Sequence, residues 1–519
     1  MSDGWVLPGG VLRDAPTYTP RTYELADLEL LLSGAYAPLT GFLGRADLAA
    51  LSRRGRLADG TPWPAPVTLT VPEGLVDGLD LSNPLHRALV LTDRAGAPVA
   101  LVDVADIRPV RNGFVGVGGE VRRVGAGTAG PFRRLRRTPD EVRALLPPGR
   151  VLGVIADRPL HRPQLAQIAQ ATRTLAAHLL VLIPVAEVGP DGLPPEVLVR
   201  AIFAARDRMP PATLVAVPLA RRGDEIRDAL LRARVATAYG VTHLLSMGET
   251  LSGAGPRVLV PRELAYDNRD GQWRWLDDIP PRSRRLALQP EEIDDLLDRG
   301  FPLPEWHTPP GVAKELARAR PPRRQRGLVV FFTGLPGSGK STIARGVADA
   351  LRESGERTVT LLDGDAVRRE LGVGPGASRA DHEVEVRRIG WVAAEVARHR
   401  GLALCCPVAP YADIRAVARR MARDAGGGFL LIHLSTPPEV CRQREHGSHG
   451  AAWAGQPADP AGTSGKPAGE GSAGDTPYEA PTDADLVLDT TDRTVEEGVQ
   501  AVLKHLIETG WVEPRLQPA

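Results

Sequence analysis

Phe331–Thr342 reads FFTGLPGSGKST, and its reading decides the fold of the C-terminal third of the chain. Gly334, Gly339, Lys340 and Ser341 satisfy the phosphate-loop spacing G-x-x-x-x-G-K-[ST]. The apolar run Gly327–Phe332 before it predicts a buried parallel strand. After it, Ile343, Ala344, Val347, Ala348 and Leu351 recur at helical spacing and predict a helix over 343–353. Strand, glycine loop and helix in that order are the context the motif requires. The glycines let the backbone bend until its N–H groups face phosphate oxygens, and the helix N-terminus adds a favourable dipole. The candidate nucleotide contacts are therefore Gly334, Leu335, Pro336, Gly337, Ser338, Gly339, Lys340, Ser341 and Thr342. Lys340 is placed to neutralise phosphate charge and the Ser341 hydroxyl to hold Mg²⁺, so the stretch predicts a nucleoside-triphosphate site.

Bulk composition narrows the field. A chain of 519 residues predicts three or four domains, and 43% hydrophobic with 24% charged residues is ordinary for globular proteins. The net charge of +1 gives no reason to expect nucleic acid or a membrane surface as partner. Four lysines stand against 60 arginines, so a lysine kept at position 340 stands out. Three cysteines, Cys405, Cys406 and Cys441, support neither a disulfide framework nor a zinc site. With no signal peptide and no apolar run of membrane-spanning length, the expected location is the cytoplasm.

Along the chain the period changes twice. Up to about residue 140, Trp63–Val71, Ala88–Thr92 and Val99–Val104 read as strands, Asp93–Gly96 as a hairpin turn and Glu24–Leu32 as a short helix. From Val151, strand-like runs at Val151–Ile155, Leu179–Pro184, Thr213–Val217 and His243–Met247 alternate with helical stretches at Pro163–Ala177 and Glu196–Arg206. That alternation predicts a doubly wound parallel sheet. Helices at Gln289–Asp298 and Gly311–Ala319 close this half, and the Pro/Arg run Ala319–Gly327 marks a boundary. Thr358–Leu362, Leu402–Val408, Phe429–Ser435 and Ala484–Leu488 are further strands, and Val495–Thr509 is a last helix. His446–Thr476, rich in Gly, Ala, Pro and Ser, predicts a mobile insert.

The C-terminal part resembles adenylyl-sulfate kinase, a P-loop enzyme that phosphorylates the 3′-hydroxyl of adenosine 5′-phosphosulfate. The matching pieces are GLPGSGKST, LLDGDAVRREL (361–371), VRRIGWVAAEVA (386–397), APY (409–411), LSTPPEVCRQR (434–444), PYEAP (477–481) and LVLDTT (486–491). The resemblance implies ATP with Mg²⁺ as cofactor and the phosphosulfate as acceptor. It implies catalytic roles for Lys340, Asp363 and Asp365, a metal held by Ser341 and Asp363, and acceptor contacts from Arg368, Arg387, Pro410 and Tyr411. One aspartate would reach the metal's water shell and the other the acceptor hydroxyl; an N-cap role for either is compatible. There are departures. Where the family reads D-R-x-E-N-x-R-R, this chain has Asp381-His-Glu-Val-Glu-Val-Arg387-Arg388, so an arginine and an asparagine become His382 and Glu385. In the I-S-P-Y-R stretch the serine and arginine become Ala409 and Ala412.

The remainder resembles ATP sulfurylase, carried by Ser33–Phe42 (SGAYAPLTGF), Trp63–Val67 (WPAPV), Gly240–His243 (GVTH) and Gly300–Trp306 (GFPLPEW). The implied architecture is multidomain α/β: a β-rich PUA-like module (1–145), a doubly wound nucleotidyltransferase-like domain (146–318), a linker (319–326) and a P-loop NTPase domain (327–519) with its insert at 446–476. A homo-oligomer is expected. The family's Q-T-R-N-P-x-H-R-x-H appears as Ile155–Gln164 (IADRPLHRPQ), keeping Pro159, His161 and Arg162 but putting Asp157 where the sulfate-binding arginine belongs. G-R-D-H-A-G has become Met247–Ser252 (MGETLS). His161 is left as a phosphate ligand or a helix-capping remnant. The leading expectation is an adenylyl-sulfate kinase with a weak or inactive sulfurylase-like half. The alternatives are a bifunctional enzyme, a kinase for a different hydroxyl compound, and a nucleotide-binding regulator.

Overall fold

A computed structural model describes residues 15–83, 86–124, 131–187, 189–190, 192–246, 255–355, 357–364, 367, 370, 378–444 and 478–513. The chain forms two compact units, Met1–Asp294 with Pro302–Ala319, and Asp295–Phe301 with Arg320–Ala519.

The first unit holds a six-stranded, mostly antiparallel sheet. Its spine runs Thr17–Tyr18, Ala88–Thr92, Pro98–Pro109, Phe114–Arg123, Gly41–Phe42, with Leu69–Pro72 also paired to Phe114–Arg123. The hairpin at Asp93–Gly96 forms as expected, with the Asp93 carboxylate accepting from the amides of Ala95 and Ala97. Of the strand expected over Trp63–Val71, only its end is extended, at Leu69–Pro72, while Trp63 turns inward against Tyr36 with ring centroids 5.6 Å apart. The strand Phe114–Arg123 escaped the sequence reading because glycines at 116, 118 and 119 depress strand propensity. Here they are needed: a side chain at Gly119 would begin 2.0 Å from the Asp103 carbonyl oxygen of the neighbouring strand.

The same unit carries a five-stranded parallel sheet in the order Arg257–Leu259, His243–Leu245, Val151–Ile155, His178–Pro184, Ala212–Val217. Helices Arg162–Leu175, Pro195–Ala204 and Glu225–Ala238 alternate with its strands. A three-stranded antiparallel sheet (Gln272–Trp275, Leu264–Asp267, Arg284–Arg285) follows it.

In the second unit a five-stranded parallel sheet has the order Val359–Asp363, Leu402–Cys406, Leu328–Gly334, Gly428–Leu434, Leu486–Leu488. Its central strand, LVVFFTG, is buried along its whole length, as a parallel strand covered on both faces must be. Val330 and Phe332 face the helices Lys340–Ser354 and Val495–Glu508. Val329 and Phe331 face Arg379–Arg398 and Ala412–Asp424. Each side chain buried this way stabilises the unit by about 1.5–3 kcal/mol. The sheet opens its C-terminal edge where the central strand meets the phosphate loop, which fixes the place of the candidate site.

Candidate functional site

The loop between the strand Leu328–Gly334 and the helix Lys340–Ser354 is built by its glycines. Gly339 caps the helix at φ +94°, a left-handed value that favours glycine. At Gly334 (φ +152°) an added Cβ would lie 2.6 Å from the Leu434 carbonyl oxygen. Lys340 is 8% exposed, and its Nζ donates to the carbonyls of Gly334 (3.1 Å) and Leu335 (2.9 Å). The ammonium thus rests against its own loop. Ser338 is fully buried, and its Oγ has no hydrogen-bond partner among the described residues.

At the adjoining strand end, Asp363 faces the start of the helix. The Ser341 hydroxyl donates to its Oδ1 (3.2 Å), and Arg345 Nη2 reaches its Oδ2 (3.4 Å). A hydroxyl and a carboxylate converging beside a phosphate loop are oxygen donors suited to a hard divalent cation. Asp365 and Arg368 lie outside the described residues, as do Met247–Ser252 and the insert 446–476.

A cavity of about 570 Å³ opens on this loop. One wall is Gly337 and Gly339–Ile343; the other is Arg444, Thr490 and Arg493–Val495. The second wall was not singled out from sequence, although Arg444 and Thr490 fall within the pieces 434–444 and 486–491 quoted above. Thr490 ties the two walls together: its hydroxyl donates to the Ser338 carbonyl (3.1 Å), meets the Thr436 hydroxyl (2.8 Å), and accepts from Arg444 Nη1 (2.7 Å). Arg444 Nη2 also donates to the Thr490 carbonyl at 2.6 Å.

On the other side of the central strand, Thr333 Oγ1 bonds the Val408 carbonyl (2.9 Å) and the Tyr478 hydroxyl (3.1 Å). Pro410 accepts from the Glu479 amide (2.8 Å), and Tyr411, buried, lies under the Arg379 guanidinium at 4.4 Å. Arg415, which sequence reading passed over, is 4% exposed and donates to the carbonyls of Ala409 and Glu479, both at 2.8 Å. Burial pulls its pKa down from the usual arginine value, against the raising influence of Tyr478 and Asp483. His382 and Glu385 stand 3.8 Å apart on the inner side of the helix Arg379–Arg398, with Glu385 buried. Arg387 lies on that helix's exposed side, paired with Glu383 at 2.7 Å, and does not line the cavity.

In the first unit, His161 occupies the N-cap position of its helix, but its ring makes no cap hydrogen bond. Its Nδ1 lies 3.0 Å from the Thr308 hydroxyl, and so does the Nδ1 of His307, the two rings being 4.8 Å apart. One hydroxyl can donate to one imidazole and accept from the other, which requires the first of them to be unprotonated at Nδ1. Burial, reinforced by the other imidazole, lowers the His161 pKa to about 3, and burial lowers that of His307 to about 4 against a small opposing influence of Glu292. Arg162 donates to the Glu305 carbonyl and its amide to that of His307. Asp157 pairs with Arg232 at 3.1 Å. Because both histidines bind protons more weakly folded than unfolded, their contribution is complete above pH 6.5 and is lost as pH falls towards 4. Urea unfolding of this unit is expected to lose about 2 kcal/mol per pH unit across that window, about 1 kcal/mol per pH unit from each histidine. A His161→Gln/His307→Gln pair should flatten the slope, and an unchanged slope would place the titration elsewhere.

Comparison with known proteins agrees with this fold. The family profile for a PUA-like domain matches residues 12–112, that for ATP-sulfurylase residues 133–272, and that for adenylylsulphate kinase residues 326–489. A sulfate adenylyltransferase from Mycosarcoma maydis is 30% identical, with 96% of this chain and 97% of the relative covered. One from Aspergillus fumigatus is 29% identical, over 98% and 99% of the two chains. Among solved structures, a hexameric APS kinase from Thiobacillus denitrificans superposes with a TM-score of 0.73 at 33% identity, covering 96% of this chain and 94% of that one.

Proposed function

The chain belongs to the sulfate adenylyltransferase family in the form that fuses an ATP-sulfurylase domain to an adenylylsulphate kinase domain, and from that premise we propose which half works. The second unit transfers the γ-phosphoryl group of ATP to the 3′-hydroxyl of adenosine 5′-phosphosulfate, giving ADP and 3′-phosphoadenosine 5′-phosphosulfate. The observation that carries this is the cavity lined by Lys340 and Ser341, with the Asp363 carboxylate held 3.2 Å from the Ser341 hydroxyl at the adjoining strand end.

Phosphoryl transfer depends on positioning and charge neutralisation more than on covalent help. The loop from Gly334 to Thr342 binds the triphosphate through its amides, and Lys340 leaves its carbonyl partners to follow the charge that builds on the transferring group. Ser341 and Asp363 would hold Mg²⁺, which would supply neutralisation of the phosphate charge. Asp365 accepts the acceptor's proton, and Arg368, Pro410 and Tyr411 position the acceptor nucleotide. Arg415 fixes the loop Ala409–Tyr411 from behind.

In the first unit the sulfate-binding arginine is Asp157, and Arg232 is engaged with it. Sulfate therefore meets a carboxylate where the family has a cation, and the sulfurylase-like half has weak or no activity. The chain works in the cytoplasm, in keeping with three buried thiols that form no disulfide. Among the described residues no helix is long and apolar enough to cross a membrane. Because the relative from Thiobacillus denitrificans is described as hexameric, self-association of this chain is part of the proposal.

ADP release by the purified protein with Mg²⁺ and ATP should rise several-fold on adding adenosine 5′-phosphosulfate. Pyrophosphate release should not depend on sulfate. Sulfate-dependent pyrophosphate would establish a bifunctional enzyme instead. ATP turnover indifferent to the phosphosulfate would move the search to other hydroxyl compounds, with His382 and Glu385 as the altered acceptor contacts.

A further inference from the structure

The helix Arg379–Arg398 buries Val386, Ile389, Ala393, Ala394 and Ala397 against its own unit. Its opposite face carries Trp391, 61% exposed, and Val384, 43% exposed, seven residues apart and so on one side of the helix. In a chain with only eight tryptophans, leaving one largely in water forfeits the burial that tryptophan normally contributes. The residues spaced by four through Trp391 are Glu383, Arg387, Trp391, Glu395 and His399. Such a row forms a ridge along a helix, and ridges of two helices can interdigitate. Read from Trp391 in both directions, this one is self-complementary: an antiparallel copy sets Arg387 opposite Glu395, Glu383 opposite His399, and Trp391 opposite itself.

We propose that this face is the two-fold interface through which two copies of the chain associate, centred on Trp391 and flanked by reciprocal Arg387–Glu395 pairs. The inference rests on the self-association proposed above and locates it. A two-fold contact requires one patch to be complementary to itself, and this ridge is. Tryptophan and arginine at the centre of an exposed face are the residue types that dominate binding energy at interfaces. Within the chain, Arg387 already holds Glu383 at 2.7 Å and Arg398 holds Glu395 at 3.2 Å, so the charged groups are ordered before a second copy arrives.

The test is the mass of the full chain by sedimentation and light scattering over a dilution series, with circular dichroism confirming each variant folded. Trp391→Glu is expected to shift the dissociation midpoint up by about 30-fold or more, yielding a smaller species. Arg387→Glu should do the same in smaller measure, and the double variant Arg387→Glu/Glu395→Arg should recover association. A monomeric wild-type protein would overturn both self-association and this interface. An oligomeric wild type whose midpoint Trp391→Glu leaves in place would overturn this face alone. Dissociation by Arg387→Glu that the double variant fails to reverse would overturn the antiparallel register.

Discussion

Replacing Lys340 with alanine is expected to lower kcat/KM for ADP formation by about 10³-fold or more, with the unfolding midpoint nearly unchanged. The two halves of that expectation have different sources. Lys340 is buried, and its ammonium donates to the carbonyls of Gly334 and Leu335. Taking a buried cation out of water is costly, and two carbonyls repay only part of that cost, so its removal changes stability little. In the reaction the same ammonium faces phosphate oxygens whose charge shifts as the bond to the leaving group breaks. Its interaction is strongest there, so kcat should fall more than KM rises. Lys340→Arg should not rescue, because a planar guanidinium cannot enter a loop shaped around a point charge. Turnover within tenfold of wild type in Lys340→Ala would remove the lysine from the mechanism.

What made this loop legible is that its chemistry is local. Lys340, Ser341 and the glycines lie within eight residues, and each is dictated by a backbone or charge requirement that sequence displays directly. The parallel strands were legible for a related reason: Leu328–Gly334 and His178–Pro184 are covered on both faces, so their apolar runs are nearly unbroken. Groups that function through distant partners were not legible. Arg415 looks like one surface arginine among 60 until Ala409 and Glu479 are placed around it. Thr490 takes its meaning from Ser338, 152 residues earlier. His161 offered two readings and the structure adds a third, since its Thr308 and His307 partners come from a loop far along the chain. The departures at Asp157 and His382 were visible as departures, but the Arg232 partner that makes Asp157 tolerable was not.

The run Ala319–Gly327 shows the same gap between composition and contact, and carries the second large expectation. Its prolines and arginines read as a linker, yet Arg320, Arg323 and Arg326 turn onto one carboxylate, Asp298, which is 7% exposed. Arg320 Nε donates to Oδ1 at 2.6 Å and Nη2 to Oδ2 at 3.0 Å; Arg323 reaches Oδ2 at 3.1 Å and Arg326 Oδ1 at 2.6 Å. Burial alone would raise this carboxyl's pKa. The Arg320 hydrogen bond and the charges of Arg326, Arg320 and Arg323 outweigh it, leaving the pKa below the ordinary aspartate value. A carboxyl depressed on folding contributes its full stability above the unfolded pKa near 4 and loses it only as pH falls through the folded value. The contribution is therefore complete at neutral pH. Asp298→Ala removes the anion shared by three guanidinium groups, one of them, Arg326, largely buried against Trp511, and should cost about 3 kcal/mol in urea unfolding at pH 7. Added salt should restore little of it, because buried pairs are weakly screened. Trypsin gives an independent reading: freed from Asp298, the chain should be cut after Arg323, Arg324 or Arg326 much faster than in the wild type. Unchanged stability together with an unchanged tryptic pattern would show that the arginines hold this segment without the aspartate, through contacts such as Arg323 with the Thr509 carbonyl at 2.9 Å.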